Sequence, residues 1–163
     1  MYVDAPSGFN VARELLGSKV EFMQADLFDL DPALIGQFDI VLFLGVLYHL
    51  RHPLPALERI AAICRTQLIM ETEVAEPPSG RRYHLFRALT GYRPPESWNE
   101  FYPGDEINHD PTTWWAPTTR CAEDMLRSCG FCGVKTVSNA LRRGMFHGFS
   151  PREGKDVETL VGT

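Results

Sequence analysis

The chain has 163 residues, of which 44% are apolar and 23% are charged, and its formal net charge is −5 at pH 7. These values are ordinary for one globular domain that is long enough to bury a core without disulfides. The acidic balance disfavours a protein that holds nucleic acid through a general positive field. Two arginine pairs, at 81–82 and 142–143, are the only paired arginines, and we interpret them as solvated surface.

No membrane segment or export signal is predicted. The longest apolar runs fall well short of the roughly 18 residues that a spanning helix needs, and the amino terminus has no basic start followed by an apolar core. We therefore expect a cytoplasmic protein with no membrane partner and with reduced thiols.

The first 74 residues alternate between strand and helix patterns. We predict the end of a strand over 1–4, a helix over 8–16 capped by Ser7 and ended by Gly17, and a strand over 19–24. A short turn or helix over 32–36 follows.

The run FDIVLFL over 38–44 is almost entirely apolar, which is typical of a parallel strand buried on both faces. Pro53 then begins a helix that ends near Ile63, with Leu54, Leu57 and Ile60 on its buried side. Residues 67–72 form the next strand. This alternation predicts an α/β fold with a parallel sheet and right-handed crossovers.

Residues 73–116 have a different character, because they contain six prolines and eight aromatic residues. We interpret the segment as an ordered lid or substrate-facing insertion with one short helix near 80–89; the alternative is an insertion that only packs its aromatic rings on the sheet edge. Thr118 caps a predicted helix to Ser128, and 134–137 with 145–149 form a closing β pair. The tail over 151–163 is polar and predicted to be loose.

Four cysteines are present, and two of them form the motif CGFC at 129–132. Zinc would need a second ligand pair, which neither Cys64 nor Cys121 supplies. A redox site would place Cys129 at a helix amino terminus, whereas the pattern places it at a helix end. The cysteines are therefore predicted to be structural, and we expect no metal.

The stretch FLGVLYHLRHP, over 43–53, places polar side chains directly after the buried strand. Together with the segment over 2–30 that precedes it, the stretch resembles the class I S-adenosylmethionine-dependent methyltransferases. Within them, GVLYHLRHPL is similar to the group related to the tRNA wobble-uridine carboxymethyltransferase, and the later run over 101–131 is similar to uncharacterised members of that group. The resemblance covers about 2–150 and implies a Rossmann-like sheet with an antiparallel closing strand.

The resemblance implies a set of residues for S-adenosylmethionine. Asp4 would accept hydrogen bonds from the ribose hydroxyls, Asp26 and Leu27 would read the adenine edge, and the end of the central strand would approach the cofactor. That strand end consists of Phe43, Leu44 and Gly45. Ordinary turn roles for Asp4 and Asp26 remain alternatives.

Tyr48 and His49 follow at the place where the resemblance puts the methyl donor and the acceptor. Tyr48 occupies the position that helps to hold the extra carboxylate of the donor in the carboxymethyltransferase, but ordinary S-adenosylmethionine is expected here. His49 is a candidate base, with a backbone-bonding turn residue as the alternative. Trp114 and Trp115 are candidate walls of the acceptor pocket, or anchors of the insertion.

One part of the family pattern does not occur in these 163 residues: a first strand and helix with a glycine-rich loop, since no G-x-G is present. Residues 1–150 would then be a partial methyltransferase domain from a truncated sequence, and we expect it to bind S-adenosylmethionine weakly or not at all. Its incomplete sheet would favour self-association.

Three functions remain open at this point. They are methyl transfer to a small molecule or sugar, with tRNA as another acceptor; a non-catalytic interaction module; and a small redox or metal protein.

Overall fold

The computed structural model describes residues 6–75, 81–92 and 95–150. The strand end predicted over 1–4, together with Asp4, and the predicted loose tail over 151–163 lie outside the described residues.

The described helices follow the predicted order. They are α1 (Ser7–Leu15), α2 (Pro32–Ile35), α3 (Pro53–Ile63), α4 (Arg81–Thr90) and α5 (Thr119–Ser128). The hydroxyl of Thr118 accepts the Cys121 N–H at 3.1 Å, which confirms the predicted cap of α5. Pro6, not Ser7, holds the N-cap position of α1, so the predicted cap there is wrong. Gly17 ends that helix at a φ of 57°, as predicted.

The main sheet has four strands in the order β1-β2-β6-β5. β1 (Phe38–Leu44) is parallel to β2 (Cys64–Glu73), with α3 as the crossover. β6 (Arg143–Phe149) runs antiparallel to both β2 and β5 (Cys132–Ala140). This mixed sheet agrees with the predicted parallel sheet closed by an antiparallel pair.

Both long helices that follow the sheet strands pack on one face of the sheet. α3 and α5 contact each other, and the core beneath them contains Phe43, Leu68, Met70 and Phe146, each at most 5% exposed. Burial of such side chains contributes about 1.5–3 kcal/mol each. The core therefore fixes the position of the carboxyl end of β1, where Phe43 lies.

The prediction that β1 is buried on both faces is wrong. Ile40 and Leu42 are 58% and 62% exposed, and Phe38 and Leu44 on the same face are about half exposed. Alternate strand residues point to opposite faces, and within the described residues no helix covers this one. β1 is also an edge strand, because β2 is its only partner in the described sheet.

Two further local predictions are wrong. Residues 19–24 do not form a strand, because a strand needs a hydrogen-bonded neighbour and none of the described strands pairs with this segment. Leu54 is 44% exposed. Leu57 and Ile60 lie on the buried side of α3 as predicted, together with Ala56 and Ile63.

The described part of the insertion contains α4 and a short antiparallel ribbon. The ribbon joins β3 (Asn99–Phe101) to β4 (Trp115–Pro117), and the short helix near 80–89 is confirmed as α4. A second small core lies here, formed by Ala75, Ile107 and Ala116. No helix in the described part of the chain is long and apolar enough to cross a bilayer.

Candidate functional site

The chain leaves β1 through a tight turn at Gly45. The φ of Gly45 is 70°, a conformation that side chains with a Cβ rarely adopt, and its N–H donates to the carbonyl of Glu71 at 3.1 Å. A Cβ at Gly45 would lie 3.6 Å from the Tyr48 hydroxyl and 3.7 Å from Glu71 Oε2. The turn therefore places a hydroxyl and a carboxylate beside an open stretch of backbone.

Tyr48 lies in a 3₁₀ helix of one turn, Leu47–His49, and is 7% exposed. Its hydroxyl accepts a hydrogen bond from Arg143 Nη1 at 2.9 Å. The same nitrogen donates to Glu71 Oε1 at 3.0 Å, and Nε lies 3.5 Å from Glu73 Oε1. One guanidinium thus ties together the turn after β1, the end of β2 and the start of β6.

The Arg143 side chain is 43% exposed, which agrees with its expected surface position, but its guanidinium is also ion-paired with Glu71 and Glu73. A two-residue turn brings it to the site, because Leu141 and Arg142 both have positive φ, at 53° and 63°, as a type I′ hairpin requires. The hydrogen bond that Arg143 donates to the Tyr48 hydroxyl, and then the charges of Glu71 and Glu73, raise the pKa of the Arg143 guanidinium. No local sequence signal connects Arg143 with Tyr48, which lies 95 positions earlier.

His49 takes part in a hydrogen-bond chain with the insertion. Its Nδ1 lies 3.0 Å from the carbonyl oxygen of Thr112 and 2.9 Å from the Thr112 hydroxyl. A carbonyl only accepts, so Nδ1 carries the proton. The Thr112 hydroxyl then donates to Asp110 Oδ1 at 2.6 Å, and hydrogen bonds from Thr112 lower the pKa of Asp110. Neutral His49 therefore keeps an unprotonated Nε2.

An aromatic cavity of about 150 Å³ lies next to this turn, lined by Arg51, Phe101, Trp114 and Trp115. The Trp114 N–H donates to the Tyr48 carbonyl at 2.8 Å, and Trp115 Nε1 donates to the Arg51 carbonyl at 3.3 Å. Trp114 and Trp115 therefore line one cavity directly attached to the turn, and their role as walls of an acceptor pocket stays a prediction. Arg51 and Phe101 were not predicted from the sequence.

The residues expected to hold a cofactor are only partly brought together. Phe43 is 5% exposed and points into the core, whereas Leu44 is 48% exposed at the strand end. Asp26 caps the turn Leu27–Asp29, accepting the Phe28 N–H at 2.9 Å. Leu27 packs against the main core, so its side chain is committed to packing.

The CGFC cysteines make packing and backbone contacts. Cys132 Sγ lies 3.4 Å from the Phe149 carbonyl, and burial raises the pKa of the Cys129 thiol, which is the opposite of a reactive thiolate. The described residues contain no cluster of three or more histidine, cysteine, aspartate or glutamate side chains suited to a metal.

The four-stranded sheet with helices packed on one face is shared with the Rossmann-like fold of solved methyltransferase structures. The N-terminal domain of EvdMO1 with SAH bound aligns with a TM-score of 0.59 and 22% identity, over 86% of this chain and 58% of that chain. The whole of EvdMO1 is covered over only 28% of its length.

Other solved methyltransferases give the same result. The 1,6-didemethyltoxoflavin-N1-methyltransferase of Burkholderia thailandensis, with bound 1,6-didemethyltoxoflavin and S-adenosylhomocysteine, aligns with a TM-score of 0.57 and 14% identity, over 90% of this chain and 58% of that chain. The magnesium protoporphyrin IX methyltransferase ChlM of Synechocystis PCC 6803 aligns with a TM-score of 0.51 and 16% identity, over 86% of this chain and 57% of that chain. No protein-family model and no curated protein matches the chain.

Proposed function

We propose that this chain carries part of the active site of a cytoplasmic S-adenosylmethionine-dependent methyltransferase that acts on a small molecule. The observation that carries the proposal is the turn after β1, where a Cβ added at Gly45 would lie 3.6 Å from the Tyr48 hydroxyl and 3.7 Å from the Glu71 carboxylate. Ligands of open α/β sheets bind beyond the carboxyl ends of the strands. The fold, shared with the solved methyltransferases, supports the same location.

The residues at this turn fit the donor in chemical terms. Glu71 offers a carboxylate to a positively charged sulfonium, and Gly45 presents backbone without a side chain in between. Leu44 and the backbone of Phe43 continue this surface, Asp26 has a second carboxylate oxygen for a ribose or adenine group, and Asp4 is proposed for the ribose hydroxyls. When bound, S-adenosylmethionine supplies an activated methyl group, which the lone pair of an acceptor displaces from sulfur.

His49 is proposed as the base that removes the acceptor proton. Its Nδ1–H is held by Thr112, which leaves Nε2 as the proton acceptor. A base held in one tautomer by a second group is a recurrent arrangement in enzymes. Tyr48 is proposed to position the reacting groups, because its hydroxyl is fixed by Arg143.

The charges at Tyr48 favour ordinary S-adenosylmethionine over a carboxylated donor. Arg143 is the positive group at the Tyr48 hydroxyl, and it is already paired with Glu71 and Glu73. The cluster therefore carries two carboxylates for one guanidinium, which would repel a further carboxylate and attract a sulfonium. On this point the proposal departs from the carboxymethyltransferase that the Tyr48 motif resembles.

A small acceptor is favoured over tRNA for two reasons. The chain has a net charge of −5, whereas RNA binding needs a positive surface. The pocket beside Tyr48 is also small, at about 150 Å³. We propose that the segment over 73–116 acts as a lid, since Trp114 and Trp115 reach the turn from it.

The test is a turnover assay that measures release of S-adenosylhomocysteine with a panel of small acceptors. His49→Gln should lower kcat about 100-fold or more, and Tyr48→Phe should lower it less. His109→Gln is the matched control, because its side chain is 95% exposed. Equal turnover of all four proteins, wild type included, would refute the assigned roles. Since we expect weak donor binding by this chain, titration calorimetry with S-adenosylmethionine accompanies the assay.

A non-catalytic interaction module is the second candidate, and the uncovered face of β1 favours it. Ile40 and Leu42 expose apolar surface beside a strand edge that no described strand pairs with, which is a surface for pairing with another chain. We propose self-association through this edge as its first form. Light scattering would show a dimer that Leu42→Lys disrupts; a monomer at all concentrations would contradict it.

A further inference from the structure

The aromatic cavity beside Tyr48 has one charged wall. Phe101 and Trp114 lie nearly parallel, at an interplanar angle of 18° and a centroid distance of 6.3 Å. Trp115 packs against Phe101 at 4.8 Å. The Arg51 guanidinium lies 4.2 Å from the centroid of the Trp114 ring. Flat surfaces therefore line a small space with a cation at its margin.

Arg51 differs from Arg143 in its free hydrogen-bonding capacity. Arg143 is paired with Glu71, Glu73 and the Tyr48 hydroxyl. In the described part of the chain, no carboxylate lies within ion-pairing distance of Arg51, and its stacking on Trp114 uses the face of the guanidinium and not its N–H groups. These N–H groups form a planar fork that matches a carboxylate or phosphate.

We propose that this cavity binds a planar aromatic ring bearing an anionic group, with the ring packed against the walls formed by Phe101, Trp114 and Trp115 and the anion on Arg51. The inference rests on the proposed function, because it names the acceptor class of the same site. A flat aromatic ring packs favourably on other aromatic rings, and each such pair contributes about 0.5–1.5 kcal/mol of binding free energy beyond the burial of apolar area.

The position of the cavity relative to the turn supports this assignment. The backbone N–H of Trp114 donates a hydrogen bond to the Tyr48 carbonyl, and the indole Nε1–H of Trp115 donates to the Arg51 carbonyl. A ring held here would therefore lie beside the segment that carries Tyr48 and His49. A ring substituent with a hydroxyl or amine is the group that would receive the methyl.

Two other ligand classes fit less well. A sugar needs several hydrogen-bond partners for its hydroxyls, and the four lining residues offer mainly ring faces and one guanidinium. A quaternary ammonium also binds in aromatic boxes, but Arg51 would repel it. An aromatic anion satisfies both features of the wall.

The test measures the binding of three probes to the full chain. Binding is monitored through the indole N–H signals of Trp114 and Trp115 in nuclear magnetic resonance titrations. Benzoate has the proposed chemistry, benzyl alcohol lacks the charge, and cyclohexanecarboxylate lacks the planar ring. We expect benzoate to bind at least about tenfold more tightly than benzyl alcohol and about threefold more tightly than cyclohexanecarboxylate. Signals are assigned with Trp114→Phe and Trp115→Phe.

Arg51→Gln should remove the preference for benzoate over benzyl alcohol, and Arg51→Lys, which keeps the charge without the planar stack, should retain part of it. Arg65→Gln is the matched control, because it removes the same charge from a surface pair in which Arg65 Nε lies 2.7 Å from Asp39 Oδ1. It should bind benzoate like the wild type. Unchanged amide signals from β5, which contains none of the substituted residues, establish that each variant is folded.

Equal affinities for benzoate and benzyl alcohol, no binding of benzoate, or wild-type binding by Arg51→Gln would each overturn the inference. The experiment uses neither donor nor turnover, so its failure is separate from failure of the proposed function. If the chain binds benzoate and calorimetry shows that it also binds S-adenosylmethionine, absence of methyl transfer would support the cavity assignment and refute the proposed function. Methyl transfer to a neutral acceptor without benzoate binding would refute the cavity assignment and support the proposed function.

Discussion

Removal of Arg143 should destabilise the chain mainly because it leaves the buried Glu73 carboxylate without a positively charged partner. The Glu73 side chain is 3% exposed, and its Oε1 lies 3.5 Å from Arg143 Nε. At an effective dielectric constant of about 20, this attraction is about 5 kcal/mol. The Arg143 side chain is 43% exposed, so screening reduces the net contribution. We expect Arg143→Met to lower the free energy of unfolding by about 2 kcal/mol.

A second substitution separates the cost of the unpaired Glu73 charge from the cost of the packing that Arg143 provides. Glu73→Gln removes the carboxylate and keeps an amide oxygen for Asn108 Nδ2, which lies 3.1 Å from Glu73 Oε1. If the cost of Arg143→Met comes from an unpaired buried charge, it should fall below about 1 kcal/mol when Glu73→Gln is already present.

The assay is urea unfolding followed by circular dichroism, with linear extrapolation to water. Arg120→Met is the control, because its pair with Asp124 at 3.2 Å joins side chains that are 56% and 37% exposed and should contribute less than about 1 kcal/mol. The reasoning fails if Arg143→Met costs the same with and without Glu73→Gln.

Two further predictions concern the sheet and helix α5. A Cβ at Gly144 would lie 2.7 Å from side chains of the buried core, so Gly144→Ala should cost about 1–3 kcal/mol, whereas Gly8→Ala, with nothing within 4 Å, should be neutral or stabilise α1 by up to about 1 kcal/mol; equal urea midpoints would contradict this. Burial opposes ionisation of Glu123, yet hydrogen bonds from Thr136 and Arg127 lower the pKa of its carboxyl below 4.5. The unfolded chain therefore takes up that proton first as the pH falls, so this stabilisation is complete above the unfolded pKa and is lost below about pH 4.5. Glu123→Gln should flatten the acid limb of the stability profile, and an unaltered limb would count against the assignment.

The sequence predicted those elements whose signals are local. Pro53 begins α3, Thr118 caps α5, and β1 runs over 38–44 as expected, because capping residues and an apolar run are read within a few positions. The strand predicted over 19–24 does not form, for the opposite reason. The β-rich composition of this segment is local, but a strand also needs a hydrogen-bonded partner strand, which a local pattern does not predict.

The candidate site divides in the same way. Gly45, Tyr48 and His49 follow one strand directly, so the order of elements predicts that they lie together at its end. Arg143 reaches Tyr48 only because β6 pairs with β2 and a hairpin turn aims its first residue at the site. Thr112 reaches His49 across 63 positions. Such contacts depend on tertiary packing, which composition and periodicity do not contain.

The position of β6 between β2 and β5 also determines the order in which the chain can fold. Glu71 pairs with Met145, so the strand that completes the middle of the sheet lies far from β2 along the chain. Pairings between distant positions form slowly because the intervening chain must first be ordered. Arg143 lies beside Tyr48 only when β6 is paired with β2. We therefore expect the contact between Arg143 and Tyr48 to form late in folding, after the local turn that carries Tyr48.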